Sequence, residues 1–178
     1  MQTKLRLIVL CALFAALTAV CSQIAIPLPF VPINLALLAV LLCGAVLGCK
    51  WGAASMLVYV LLGLLGAPVF AGFGAGAGVL FGKTGGYIMG YILAAALAGL
   101  LAPSPAGYWR QCAAMAVAVV ACYALGTAWF LWVTRLPLGV SLTYCVWPFL
   151  PGDALKILLA AYLSGKLRPH INKMLGRK

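Results

Sequence analysis

Long apolar stretches alternate along this chain with breaks of two different kinds. The stretches at roughly 5–22, 34–48, 51–66, 86–102, 111–134 and 153–168 predict six helices. Several are shorter than the ~20 residues that a straight bilayer span needs. Flanking turns or locally thinned lipid complete such short spans. One kind of break is short and basic, with Lys50 at the 48–51 turn and Arg110 beside Pro103-Ser104-Pro105. The other kind is long and apolar: Gln23 through Asn34, Gly66 through Gly86, and Arg135 through Gly152. These long breaks are rich in proline, glycine and aromatic residues. Irregular backbone that stays apolar is tolerated where it is buried in protein or lines a cavity. All three long breaks fall on one side, so the pattern predicts a ligand pocket opening on that side.

Composition agrees with the bilayer as solvent. The 178 residues are 66% hydrophobic and 7% charged, with a mean hydropathy of +1.17. A soluble domain of this size cannot hide so much apolar surface. The expected class is an all-α membrane protein, a single domain over 1–178 with six transmembrane helices. The start, with Lys4 and Arg6 before an apolar run from Leu7 to Val20, has the look of a signal peptide. Val20 stands before Cys21 where a cleavage site wants a small residue, so the run is read as the first transmembrane helix.

Charge adds topology. Twelve Lys and Arg face a single acidic residue, for a net charge of +11. They sit at segment ends and form no stripe, which argues against nucleic acid as a partner. Lys4, Arg6, Lys50, Arg110, Lys166, Arg168, Lys173, Arg177 and Lys178 fall on the side of the short turns. Arg135 falls on the other side, with Lys83 and Lys156 near its boundary. The positive-inside rule then places both termini in the cytoplasm and the pocket outside. The C-terminal basic group also suits anionic lipid.

The lone acid, Asp153, lies in Trp147-Pro-Phe-Leu-Pro-Gly-Asp153-Ala-Leu-Lys156. A carboxylate in lipid-soluble sequence pairs, faces a cavity or marks a substrate path. Asp153 and Lys156 share a helix face at a spacing of three. They make either an internal ion pair, with Asp153 capping the last helix, or a polar ligand site, and the two readings are compatible. Gly82-Lys83-Thr84-Gly85-Gly86 precedes a helix, where backbone N–H groups and the Lys83 ammonium favour an anion. The stretch Ala77 to Thr84 loosely matches a phosphate loop, but no strand precedes it and no second acid exists to hold magnesium. Lys83 is otherwise a lysine reaching for the interface. Trp51 and Trp109 adjoin basic residues and fit an interfacial belt. Trp129, Trp132, Trp147, Phe70, Phe73, Tyr87 and Tyr91 supply candidate walls for an apolar ligand. In the first helix, Ala12/Ala16 and Ala15/Ala19 are small-xxx-small pairs that let another helix approach closely. The seven cysteines are scattered without CxxC, and His170 is the only histidine, so neither a metal site nor a redox pair is expected. No catalytic constellation is present either: there is no second acid and no serine–histidine pair.

Several segments together resemble one family. Ile26-Pro-Leu-Pro-Phe-Val-Pro32, Gly66-Ala-Pro-Val-Phe70, Gly82-Lys-Thr-Gly-Gly-Tyr87, Leu125-Gly-Thr-Ala-Trp-Phe130 and Pro148-Phe-Leu-Pro-Gly-Asp153-Ala-Leu-Lys156 are similar to the BioY family. These are the biotin-specificity (S) components of energy-coupling-factor vitamin transporters. The resemblance implies an S-component-like six-helix bundle with irregular outer loops. It implies no cofactor: biotin is the transported ligand. The implied partners are a transmembrane coupling subunit and two cytoplasmic ATPases. By position it assigns Asp153, Lys156, Lys83, Thr84, Gly86, Tyr87 and Asn34 to the ligand, and Ala12, Ala16, Ala15 and Ala19 to docking of the coupling subunit. Two departures stand out: Lys83 occupies a position often Pro, and Asn34 and Ala36 stand where Thr and Gln are frequent. A solitary biotin transporter, an S component for another vitamin, and a ligand-free channel or scaffold remain the alternatives.

Overall fold

The computed structural model describes residues 2–28, 30–103 and 106–176. Pro29, Ser104, Pro105, Arg177 and Lys178, which entered the expectations above, lie outside the described residues. The chain forms α1 (Gln2–Gln23), a two-residue hairpin of β1 (Ala25–Ile26) and β2 (Ile33–Asn34), α2 (Ala36–Leu47) and α3 (Cys49–Leu64). A 3-10 turn at Ala71–Phe73 and the one-turn α4 (Ala77–Leu80) follow. Then come α5 (Gly85–Leu101), α6 (Tyr108–Thr134), α7 (Leu138–Cys145) and α8 (Leu150–Leu175).

The most apolar helix, α2, is the centre of the bundle. Nearly every residue from Ala36 to Leu47 is buried, as expected for a helix that is hydrophobic all round. It packs against α1, α3, α5 and α8. The turn from α2 to α3 is one residue, Gly48, whose φ of 85° lies in the left-handed region that glycine enters at little cost. Beside that turn α2 and α5 nearly touch: a methyl on Gly44 would sit 2.1 Å from the Ala95 carbonyl oxygen.

By length and composition α1 and α6 can each cross a membrane, and α7 with α8, bent by 49° at their junction, make a third candidate span. α2, α3 and α5 are apolar but shorter. The 12 residues of α2 rise only about 18 Å, against a hydrocarbon core of about 30 Å. The chain is therefore a multi-pass membrane protein with a mostly helical bundle.

The third long connection is less irregular than its composition suggests. Pro137 precedes α7, and the Ser141 and Thr143 hydroxyls donate to the Pro137 and Gly139 carbonyls at 3.1 and 3.0 Å. These polar side chains thus satisfy themselves inside the helix. The last helix also differs from 153–168. It starts at Leu150 because Pro151 falls in its first turn, where a missing N–H costs nothing. Asp153 is consequently inside the helix, its own N–H donating to Phe149 O at 2.8 Å, and its side chain caps nothing. At the other end the helix continues past Pro169 to Leu175.

Tertiary anchors hold α8 on both sides of that proline. Arg168 is buried, and its Nε donates to Ala45 O at 2.6 Å while Nη2 donates to Ala102 O. Arg6 reaches the Met174 carbonyl. Arg168 thus supplies donors to the C-terminal ends of α2 and α5, whose last carbonyls lack helical partners. The sequence places it with the charges of a basic tail; the fold draws it inside because those carbonyls converge there.

Candidate functional site

All three long connections contribute to a cavity of about 170 Å³. Val31, Pro32 and Asn34 come from the first, Phe70, Ala71, Val79 and Thr84 from the second, and Phe149 from the third. The helices add Leu37, Tyr59, Tyr87, Ile88, Tyr91, Cys122 and Tyr123, and α8 adds Asp153 and Lys156.

Three polar residues of the cavity wall form one cluster. Asp153 and Lys156 are 3% and 6% exposed. Lys156 Nζ donates to Asp153 Oδ1 at 2.6 Å. The Tyr123 hydroxyl, from α6, donates to Asp153 Oδ2. Both carboxylate oxygens are therefore engaged, as burial of a charge requires. Around the cluster the walls are aromatic and aliphatic. The Tyr87 hydroxyl lies 3.0 Å from Thr127 Oγ1, and Tyr59 donates to the Val69 carbonyl at 3.1 Å.

The expected ligand residues divide on inspection. Asn34, Thr84, Tyr87, Asp153 and Lys156 all line the cavity. Asn34 also folds its own segment: its Oδ1 accepts the Ala36 N–H at 3.1 Å and starts α2. Gly86 does not line the cavity. It permits α5 and α6 to meet, since a methyl there would sit 2.2 Å from Trp129 Cβ. Lys83 is exposed and off the cavity wall, with its ammonium 5.0 Å from the centre of the Phe30 ring. Phe30 adjoins Val31 and Pro32, so Lys83 stands beside a wall segment. Two of the N–H groups in the expected anion nest of Gly82 to Gly86 are spent on the backbone: Gly82 donates to Val79 O and Gly85 to Gly82 O, while beyond the nest Tyr87 and Ile88 donate to Thr84 O. The reason is that the chain closes on itself in consecutive tight turns there.

The aromatic candidates also sort. Phe70, Tyr87 and Tyr91 line the cavity. Trp132, Trp147 and Phe73 are well exposed, and Trp129 braces the start of α5 by donating to Gly82 O at 3.0 Å. Sequence reasoning missed Tyr59, Tyr123 and Phe149. A signal existed for the first two: each is a tyrosine in mid-helix, away from the interfacial ends where a belt residue belongs.

The second connection is tied down by the end of α1. Ser22 Oγ donates to Val69 O. Gln23 donates to Phe70 O at 3.0 Å and accepts the Phe73 N–H at 2.9 Å. On α1 itself the two alanine pairs part company. Ala12 and Ala16 are exposed, whereas Ala15 is buried and Ala19 packs against the core. Among the described residues no three His, Cys, Asp or Glu side chains converge to hold a metal ion.

Comparison with known proteins covers almost the whole chain. The family profile described as the BioY family matches residues 1–173. A protein named "Biotin transporter BioY" from Thermotoga maritima is 37% identical over 165 residues, which is 92% of this chain and 96% of the relative. A "Probable biotin transporter BioY" from Pyrococcus horikoshii is 36% identical, over 93% of this chain and 98% of the relative. The crystal structure of the S-component for biotin from an ECF-type ABC transporter superposes with a TM-score of 0.86 at 26% identity. That match covers 93% of this chain and 92% of the other.

Proposed function

Because this chain belongs to the BioY family, we propose that it is the subunit that binds biotin for an energy-coupling-factor transporter, a transport protein and not an enzyme. The observation that carries this reading is the buried Asp153–Lys156–Tyr123 cluster in the wall of a largely apolar and aromatic cavity. Biotin has the complementary halves. Its ureido ring offers N–H donors to the ionised Asp153, a charge-assisted bond. Its thiophane ring and valeryl chain suit the aromatic and aliphatic walls. Asn34, Thr84 and Tyr87 complete the contacts from the other sides, and Gly86 serves by keeping α5 close to α6.

The ligand carboxylate needs a cation. Lys156 is the cation in the cavity wall, but its charge is already matched by Asp153. Lys83, beside Phe30, therefore takes the carboxylate, with Lys156 as the second choice.

In this reading the single domain crosses the bilayer six times. α1, α2, α3, α5, α6 and α8 serve as the spans, and the short ones are completed by their flanking turns. Both termini lie in the cytoplasm and the cavity faces outward. The exposed Ala12 and Ala16 admit a coupling subunit, which two cytoplasmic ATPases energise, while Ala15 and Ala19 pack the chain's own core.

Calorimetry of the purified protein against a panel of small vitamins tests the ligand. Tight binding of biotin alone is expected. No heat with biotin, or equal affinity for another vitamin, overturns the assignment.

A further inference from the structure

Gln23, the last residue of α1, spends its whole side-chain amide at the junction with the second connection. Its Nε2 donates to Ser22 Oγ and to Phe70 O, each at 3.0 Å. Ala19 O and Pro68 O lie further from Nε2, at 3.3 and 3.5 Å. Its Oε1 accepts the Phe73 N–H at 2.9 Å. The amide turned over would set oxygen against the Phe70 carbonyl and N–H against N–H, so only this orientation serves. The two backbone groups it holds, Phe70 O and Phe73 N–H, bracket a tight turn. Gly72 and Phe73 stand there at φ of 66° and 57°, both left-handed. Glycine takes that conformation at little cost, and phenylalanine does not. The Phe73 side chain is 71% exposed, so little packing of its own offsets the strain. On the near side of the turn, Phe70 and Ala71 line the cavity. The Phe70 ring stands edge-on to Tyr59, centres 5.6 Å apart, in a socket left open by Gly63. A ring packed so closely tolerates little movement of its own backbone.

We propose that Gln23 is a positioning residue for ligand binding: by clamping the Phe70 carbonyl and the Phe73 N–H it holds the left-handed turn, and the turn keeps Phe70 and Ala71 in the cavity wall. Gln23 does not line the cavity. It acts on the ligand through the two residues that do. The inference rests on the biotin reading and extends it by naming what fixes this stretch of wall. Strain held in place by its surroundings is removed when the strained residue becomes glycine. Position 73 is therefore where loss of the clamp can be compensated.

The test measures biotin affinity and thermal unfolding of the full chain in detergent, for wild type, Gln23→Met, Phe73→Gly and the double variant. Met has the length of Gln and none of its hydrogen bonds. Gln23→Met is expected to bind biotin about tenfold more weakly, for two lost hydrogen bonds. Phe73→Gly is expected to bind at least as tightly as wild type. The double variant should recover most of the loss, because its turn no longer needs the clamp. A residue that served stability alone would lower the melting temperature and leave the affinity of the folded protein unchanged. Wild-type affinity in Gln23→Met therefore overturns the proposal. So does a double variant as weak as Gln23→Met, and so does Phe73→Gly that itself binds more weakly than wild type. If Gln23→Met does not fold, Gln23→Glu decides: it still accepts the Phe73 N–H but has no donor for the Phe70 carbonyl. Weaker biotin binding by Gln23→Glu supports the assignment, and unchanged binding removes it. Failure of wild type to bind biotin is a separate result, which removes the biotin reading and this extension with it.

Discussion

Lys156 Nζ stands 2.6 Å from Asp153 Oδ1, on the same face of α8, with both side chains inside the protein. Removing one member of a buried pair strands the other, at a cost of about 3–5 kcal/mol. Lys156→Met should therefore unfold more easily in detergent than wild type. Adding Asp153→Asn should recover much of the loss, because Asn still accepts from Tyr123 and leaves no charge behind. Asp153→Asn alone should weaken biotin binding by about 2–5 kcal/mol. A variant that is folded and binds biotin like wild type would leave the pair a purely structural role.

Lys83 tests the other end of the ligand. It lies over Phe30 and off the cavity wall, so it should act on the carboxylate and not on the ureido ring. Wild type should prefer biotin to biotin amide by about 1.5–3 kcal/mol, the size of a hydrogen bond to a charged group. Lys83→Met should bind the two about equally. A preference for the acid that survives in Lys83→Met would move the role to Lys156.

The exposed Ala12 and Ala16 share a face of α1 with Leu5, Val9 and Val20, which are exposed as well. Small residues act there by permitting close approach, so added bulk should disrupt a helix contact. Ala12→Leu with Ala16→Leu should leave the isolated chain folded and able to bind biotin, because neither residue reaches the cavity. Co-purification with a coupling subunit and ATP-driven uptake in a reconstituted assembly should fail. Full uptake would remove this face as the docking surface.

Arg168 should matter for stability and not for affinity. Arg168→Met leaves the Ala45 and Ala102 carbonyls without their guanidinium donors, at about 1–3 kcal/mol for each buried group. Thermal unfolding in detergent should shift down while the biotin dissociation constant of the folded protein stays the same. Unchanged melting would mean that water takes over both carbonyls.

Much of this molecule is legible in its residues. The apolar stretches located the long helices to within a few positions, except at α8. There Pro151 was compatible with a first turn, and Pro169 was carried by Arg168 and Arg6. Short side-chain spacings were legible too: Asp153 and Lys156 three apart on a helix must share a face. The same logic identified the alanine pairs of α1, although only the fold separates the exposed Ala12 and Ala16 from the inward Ala15 and Ala19.

The sequence by itself therefore determined the solvent, the helices and the acid–amine pair, because each follows from local composition or from a period of a few residues. What needed tertiary structure are the partners far apart in the chain. Tyr123 meets Asp153 from 30 residues away, and Arg168 meets Ala45 from 123 away. Among the 19 scattered Phe, Tyr and Trp side chains, hydropathy does not separate one that lines the cavity from one that faces lipid. Only the packing of α3 and α5 against α2, and of α6 against α5 and α8, turns Tyr59, Tyr91 and Tyr123 inward and leaves Trp132 and Trp147 outside. In a bilayer both faces of a helix are apolar, so the period that marks the inner face in a water-soluble protein is weak, and the choice falls to helix–helix fit.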